Sequence, residues 1–568
     1  MSAAPVLNTL WTWQCRGAAK AFDRAAREVE KAQGRVLSEV LRGARQSEYG
    51  RRLGFDRISQ PRDFQRQAPI VSYDDLRPWI EQAAAGTPRA LSGERIRLFQ
   101  PTAGSSGGEK LIPYTPLLQR QFQRAIQAWI WDLHTGAPGV RRGRAYWSIS
   151  PGAQAPRSTS GGIPIGFDHD VDYLNPLMRR IVSLVLAVPS HVARVRDADD
   201  FRYTTLCCLL ASDDLALISV WSPTFLTALL AQLEPWLDSM AYDIGRGRLR
   251  LPAGAHELDL RIPPNPRRAR QLQGIFRTHA ESSARLRAIW PRLALISCWC
   301  DAASAFYRPQ LEALFPGVPL QPKGLMATEG VVSIPRVGRE GAALAVTSHF
   351  FEFIPCNERG EATDEDRPRL AHELERHDCY QVLLTTGGGL HRYRLGDVVE
   401  VVDFLDQCPL VRFLGRAAGA TDLVGEKLSE AHVRVVLDGV FAELDLAPRF
   451  AMLVPAESAQ PGYRLFLECD GVDPQTQVEL VWRVEQGLRR NPHYHYAVAI
   501  KQLRPIEMTL LHGPAGVGWQ VFQQELAARG QKLGDIKPVA CDGKSDWPGR
   551  FAPWSKSTAA INQKSVSR

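Results

Sequence analysis

Residues 385–398 read TTGGGLHRYRLGDV, and the chain on either side is apolar and β-rich. Residues 380–386 and 398–404 both have the composition of buried strands, so Asp397 falls at the mouth of a β-branched strand. A carboxylate in that position can accept both hydroxyls of a ribose. An ordinary strand-leading aspartate would look the same. Working outward, further strand-like runs bounded by turn residues occur at 145–150, 216–221, 293–298 and 344–348, and helical stretches separate several of them. Strands alternating with helices predict an α/β architecture.

Residues 16–50 predict one or two amphipathic helices, with Phe22, Ala26, Val29, Val36, Val40 and Leu41 on one side. A helix is expected over 116–134, with Thr115 as N-cap and Pro116 at its first position. Beyond about residue 415 the pattern changes to helices at 431–444, 475–490 and 519–529 and strands at 450–454 and 463–469. At 568 residues the chain should form more than one domain. The expected division is a large domain at 1–415, a hinge at 416–430, a small mobile α+β domain at 431–541 and a disordered polar tail at 542–568.

Ten cysteines include no CxxC pair, which argues against a zinc cluster and for reduced buried thiols. The net charge of +8 (69 basic minus 61 acidic) is spread along the chain and accompanies no nucleic-acid-reading motif. The apolar runs Ile181–Val188 and Leu215–Trp221 are shorter than the ~20 residues of a membrane span. The start has no secretory pattern, so a cytoplasmic protein without a nucleic-acid or membrane partner is expected. Lysine is scarce, at eleven residues. Lys110, Lys323, Lys427 and Lys537 each lie beside a glycine- or proline-marked loop, where a mobile ammonium group could reach a phosphate or carboxylate.

Four other segments carry candidate chemistry. QPTAGSSGGEKLIPYT, residues 100–115, fails the GxxxxGK[ST] and GxGxxG templates. Its glycines still allow backbone N–H groups close to an anion, and Thr102, Ser105 and Ser106 add hydroxyl donors; a plain loop is the alternative. Gly324–Gly330 ends in Thr328-Glu329, which suits a magnesium nucleotide or, alternatively, a helix cap. Gly415-Arg416 and Gly425-Glu426-Lys427 bracket the proposed domain boundary as a hinge or a surface hairpin. Gly534-Asp535-Ile536-Lys537-Pro538 reads as a late loop.

Taken together, these segments resemble the Gretchen Hagen family of acyl acid amido synthetases, within the acyl-adenylating superfamily. The matching stretches are Ala68–Ile80, GSSGGEK, ATEG, His349–Pro355, TTGGGLHRYRLGDV, GEKLSE, Asn491–Tyr494 and GDIKP, in the family's order. FFEFIP and HRYRLGD are the most specific. The resemblance implies a large adenylate-forming domain of mixed sheets flanked by helices, with a small β-barrel part, and a mobile C-terminal domain. It assigns the ATP phosphates to Thr102, Ser105, Ser106, Gly107 and Lys110, with Thr102-Ala103-Gly104 departing from the usual Ser-Ser-Gly lead. It likewise implies phosphate contact for Thr328, magnesium ligation for Glu329, ribose binding for Asp397 and charged roles near the hinge for Arg416 and Lys427. Lys537 resembles the small-domain lysine that closes over the site. Trp129, Gly161, Gly162 and Ile163 would wall the acid pocket, because the family places its acid near these segments.

The implied reaction is ATP- and magnesium-dependent adenylation of a carboxylic acid, then transfer of the acyl group to an amine, usually an amino acid. An acyl-CoA or carrier-protein ligase using the same adenylate, and a non-catalytic or nucleic-acid-binding protein, are the alternatives. The divergent first loop and plain composition point to a bacterial member; a monomer or weak homo-oligomer is expected.

Overall fold

Two long helices open the chain because their apolar residues recur on one side. A computed structural model describes residues 3–555 apart from 104–108, 149–156, 167–181, 196, 253–260, 358–359, 366, 418–419, 422, 425, 427, 457–459, 500, 530, 532–535 and 544–545. Helix α1 (Ala4–Arg27) buries Trp11, Cys15 and Phe22, and α2 (Val29–Ala44) buries Val36, Leu37 and Leu41. The helical region thus begins well before residue 16, and Glu28, at φ −139°, breaks it. Three shorter helices follow, α3 (Glu48–Arg52), α4 (Pro61–Gln67) and α5 (Tyr73–Ala84), and then α6 (Pro116–Gly136), which packs on α1.

By internal contact the chain divides into two units, each described by itself. The first comprises Met1–Asp301, Tyr307–Asn357 and Ala362–Phe413; the second comprises Leu414–Arg568 with Ala302–Phe306 and Glu358–Glu361. The first unit is built on three sheets. One has the order β2-β1-β5-β4, from β1 (Leu98–Ala103), β2 (Glu109–Tyr114), β4 (Arg157–Ser158) and β5 (Pro164–Ile165). A second, wholly parallel, has the order β3-β6-β7-β8, from β3 (Arg144–Trp147), β6 (Leu215–Val220), β7 (Leu295–Cys298) and β8 (Leu320–Pro322).

The parallel sheet separates two apolar cores, as buried parallel sheets do. Ala145, Leu217 and Leu295 face the core shared with α1 and α6. Tyr146, Ile218, Ile296 and Leu320 face a second core of helices Ala198–Ala211, Leu233–Arg246 and Pro266–Thr278.

The third sheet runs β12-β11-β13-β14-β15-β10-β9, through β9 (Ser333–Pro335), β10 (Ala342–Leu344), β11 (Phe350–Cys356), β12 (Arg369–Leu370), β13 (Cys379–Thr385), β14 (Tyr393–Leu405) and β15 (Cys408–Arg416). Strand β10 ends at Leu344, not at 348: Ala345–Ser348 turns, with Ser348 N–H donating to Ala345 O at 2.8 Å.

Beyond residue 416, β16 (Ala420–Thr421) and β17 (Leu428–Ser429) form a hairpin. The sheet of β18 (Phe450–Pro455), β19 (Tyr463–Glu468) and β20 (Glu507–Leu510) carries helices Glu430–Glu443, Pro474–Leu488 and Val517–Ala528. The expectation of a disordered tail from 542 is corrected as far as Ser555. Trp547 and Phe551 are fully buried in a stack with Phe450, Phe466 and Phe522, and Ser555 bridges to Leu511. The composition of the segment is polar, but these two aromatics supply the apolar area that orders it.

One buried ion pair ties the third sheet to the α4 region. Arg392, at φ 49°, donates from Nε to both Glu352 oxygens at 3.0–3.1 Å and from Nη1 to the carbonyls of Gln65 and Ala68 at 2.8 and 2.6 Å. Both side chains are nearly inaccessible. Arg392→Met should cost about 3–5 kcal/mol in chemical denaturation because it strands the Glu352 charge. The double variant Arg392→Met/Glu352→Leu should be more stable than that single one.

Candidate active site

The glycine-rich loop is the tip of a hairpin. In the antiparallel β1–β2 register Thr102 faces Lys110, so the hydroxyl and the ammonium stem flank the same loop mouth. Ser105, Ser106 and Gly107 lie outside the described residues. Lys110 Nζ sits 5.5 Å from the Tyr73 ring centroid, and Tyr73 Oη accepts from Leu111 N–H at 2.9 Å. Tyr73 is itself fixed at the first turn of α5 by the Ser72–Asp75 capping box. On the far side of β2, Thr115 caps α6 as expected, accepting from Leu118 N–H and donating to Gly387 O at 2.8 Å. That bond joins the hairpin to the TTGGG segment.

Thr328 and Glu329 occupy the two central positions of a tight turn, not a helix cap. Met326 bridges Val331, and Ala327 and Gly330 exchange backbone hydrogen bonds at 3.0 and 3.2 Å. The turn rests on His349, whose Nε2 accepts from Val331 N–H at 3.1 Å. Gly330 is required by closeness: a Cβ there would lie 2.9 Å from His349 Nε2 and 3.0 Å from Leu384 Cδ2. Burial pushes the His349 pKa down to about 3, with Arg124 adding to the effect, so the imidazole stays neutral and can accept. His349 was not assigned a role from sequence, although it begins the family-specific HFFEFIP stretch. The signal is a histidine immediately before a strand that is apolar apart from Glu352.

Asp397 is buried inside β14, four residues beyond its first residue, not at the strand mouth. A bulge aims it: Leu383 pairs with Arg394 and Gln381 with Val398, so Leu395, Gly396 and Asp397 together oppose Val382. Gly396, at φ 82°, supplies the left-handed residue the bulge needs. Leu384, against which the Glu329 turn packs, pairs with Tyr393 of the same strand. Tyr393 also bridges Val71, two residues before Tyr73. The hairpin, the turn and the bulge therefore converge on the start of β14.

The acid-pocket residues have different neighbours. Gly161 lies against the end of α5, its N–H donating to Ala84 O at 2.9 Å, and Gly162 and Ile163 complete the β4–β5 turn. Trp129 is buried on α6 over the parallel sheet, 6.4 Å from Trp147 in a stacked arrangement.

Lys323 beside Trp129 departs from its reading as a loop lysine with a mobile ammonium group. Only 4% exposed, it donates from Nζ to Ser219 Oγ at 2.7 Å and lies 5.3 and 5.0 Å from the Trp129 and Trp221 rings. Burial pulls its pKa down to about 8.

In the second unit, Arg416 ends β15, exposed, and Lys537 is half-buried between the buried Ile536 and Pro538. Lys427 lies outside the described residues, but its neighbour Glu426 is fully buried. The Glu426 carboxylate accepts from Leu423 and Val424 N–H, both at 2.8 Å, and from Tyr463 Oη, which pins the β16–β17 loop. Among the described residues no group of three or more His, Cys, Asp or Glu side chains could hold a metal ion, and no helix is long and apolar enough to cross a membrane.

The first unit is thus an α/β fold that gathers a hydroxyl-and-lysine hairpin, a Thr-Glu turn and a bulged aspartate around the start of one strand. The model of the GH3 family N-terminal domain matches residues 18–320, and that of the GH3 family central domain matches 342–416. The chain belongs to the GH3, or Gretchen Hagen, family. It is 27% identical over 577 aligned positions to the "Probable indole-3-acetic acid-amido synthetase GH3.4" of Oryza sativa subsp. japonica, covering 92% of this chain and 87% of that protein. It is 25% identical to "Indole-3-acetic acid-amido synthetase GH3.2" of Arabidopsis thaliana, covering 75% and 81%. Among solved structures, "AtGH3.15 acyl acid amido synthetase in complex with 2,4-DB" shares the fold with a TM-score of 0.81 at 20% identity, covering 96% of each chain.

The lysine yields a stability prediction. Below pH 8 Lys323 is charged in the folded and unfolded chain alike, and its burial penalty is fully felt. Between pH 8 and about 10.5 the unfolded chain binds the extra proton, so stability rises with pH. Lys323→Met should therefore be more stable than the parent at pH 7 by on the order of 3 kcal/mol. Denaturant titrations across pH should show that advantage vanishing by about pH 10.5.

Proposed function

We propose that the chain is an ATP-dependent acyl acid amido synthetase. A carboxylate is a poor acylating agent because its leaving group would be oxide. Its attack on the α-phosphorus of ATP forms an acyl-adenylate and releases pyrophosphate. An amine, in the first instance an amino acid, then attacks the acyl carbon and AMP leaves with the bonding electrons.

In this reading Thr102, Ser105, Ser106, Gly107 and Lys110 cradle the ATP phosphates, Thr328 donates to a phosphate and Asp397 accepts from the ribose hydroxyls. Arg416, Lys427 and Lys537 bring positive charge in the two half-reactions. The observation that carries it is the convergence of the Glu329 turn and the Asp397 bulge on the β13–β14 pair. Separate loops are thereby held on one rigid sheet, as a nucleotide with phosphate and ribose ends requires.

Glu329 also fits magnesium, which takes one or two protein carboxylates and leaves the rest of its octahedron to phosphate and water. When bound, magnesium would offset charge on the departing pyrophosphate. The partners are small molecules, and the chain acts as a cytoplasmic, bacterial-type monomer or weak homo-oligomer.

The test is pyrophosphate release from ATP and magnesium with aryl, indole and fatty acids, using hydroxylamine to trap the adenylate. We expect acid-dependent release and hydroxamate, reduced about a hundredfold in Glu329→Gln. His349→Ala, which removes the acceptor beneath the turn, should reduce release by about tenfold. AMP formation should be accelerated by an amino acid without any thiol; a strict requirement for a thiol acceptor would contradict the amide reading.

A further inference from the structure

The four strands of the parallel sheet carry a row of polar side chains at one register level. Trp147 pairs with Ser219, Ser219 with Ser297, and Ser297 with Gln321. Register neighbours in a parallel sheet project to the same side, here the side of Ala145, Leu217 and Leu295, two residues earlier on their strands. The row is thus a polar line inside an otherwise apolar core, near the carboxyl ends of the strands, where open α/β sheets bind ligands.

Its hydrogen bonding is lopsided. Gln321 Oε1 accepts from Trp129 Nε1 at 3.2 Å and Ser219 Oγ accepts from Lys323 Nζ at 2.7 Å, which occupies an acceptor in each case. Ser297 Oγ, Gln321 Nε2 and Trp147 Nε1 have no partner among the described residues, although Ser297 is fully buried and Gln321 is 6% exposed. Lys323 makes one hydrogen bond for three N–H groups, and among the described residues it forms no ion pair. What remains unsatisfied is a set of donors and a buried positive charge. Burying such groups without a partner is costly, and a buried cation is retained where an anion completes it.

We propose that this row is a subsite for the distal, anionic end of the acid substrate, held by Lys323, Gln321, Ser297 and Trp147 with the indoles of Trp129 and Trp221 against its planar body. The assignment deepens the acyl-ligase reading and rests on it. It gives the substrate class as aromatic acids bearing a second carboxylate or comparable oxyanion remote from the reacting one. The second oxyanion would accept bonds from the Lys323 ammonium and the Gln321 amide, and the indole planes would stack on the ring.

The test compares terephthalate with para-toluate, which replaces the second carboxylate by a methyl group. Calorimetric titration of the full chain is done without nucleotide and with a non-cleavable ATP analogue, with a sodium sulfate arm at matched ionic strength. Adenylation is read separately by ATP–pyrophosphate exchange. We expect terephthalate to bind at least about tenfold tighter than para-toluate, and that ratio to fall to about one in Lys323→Met and to drop in Gln321→Leu. Equal affinities in the parent, an equal loss of both acids in the variants, or saturation by sulfate but not by terephthalate would overturn the subsite. Terephthalate selectivity in a chain that exchanges no pyrophosphate with any acid would keep the subsite and remove the ligase reading. Exchange with para-toluate and no selectivity would do the reverse.

Discussion

Arg392 is the constraint on which the site depends. Its guanidinium satisfies a carboxylate on β11 and two carbonyls at the end of α4, and its own backbone lies between TTGGG and the bulged aspartate. A planar fork with five donors can make such divergent bonds at once, which a lysine could not. With Arg392 fixed, its backbone carbonyl pairs with Val71, and Val71 O accepts from Arg394 N–H at 2.8 Å. The helix that presents Tyr73 to Lys110 and the strand that carries Asp397 are thereby set relative to each other. Separate motifs acquire a common frame from one buried cation.

The same physics recurs with the opposite outcome at Lys323. Arg392 has a carboxylate and two backbone carbonyls, so its burial is compensated. Lys323 has a serine hydroxyl and two indoles, and cation–π contacts offset only part of the desolvation. Two buried cations in one unit thus differ in what they lack. One closes a structural joint with a carboxylate and, among the described residues, the other is held by a hydroxyl and two aromatic rings alone.

Much of the architecture was legible in the sequence because it rests on long, consistent patterns. Strands β6, β7 and β13 are apolar runs bounded by turn residues, and α6 begins where a threonine and a proline mark it. Other features depend on partners distant in sequence. The turn at Ala327–Gly330 is not distinguished from a helix cap until His349 is seen beneath it. Asp397 reads as a strand leader because a bulge cannot be inferred without the register of β13. The order of residues 546–555 arises from aromatic stacking against Phe450 and Phe466, which local polarity conceals. Lys323 reads as a mobile loop lysine because burial at the end of a parallel strand leaves no mark on its immediate neighbours.

The central claim is that the acid is activated at the α-phosphorus of ATP. It is tested most directly by carrying out amide formation with a heavy-oxygen-labelled carboxylic acid and following the label by phosphorus NMR. Acyl-adenylate chemistry transfers one labelled oxygen to AMP, giving an isotope-shifted AMP resonance in step with amide formation. Label in inorganic phosphate, with ADP as the nucleotide product, would contradict the account by placing activation at the γ-phosphorus.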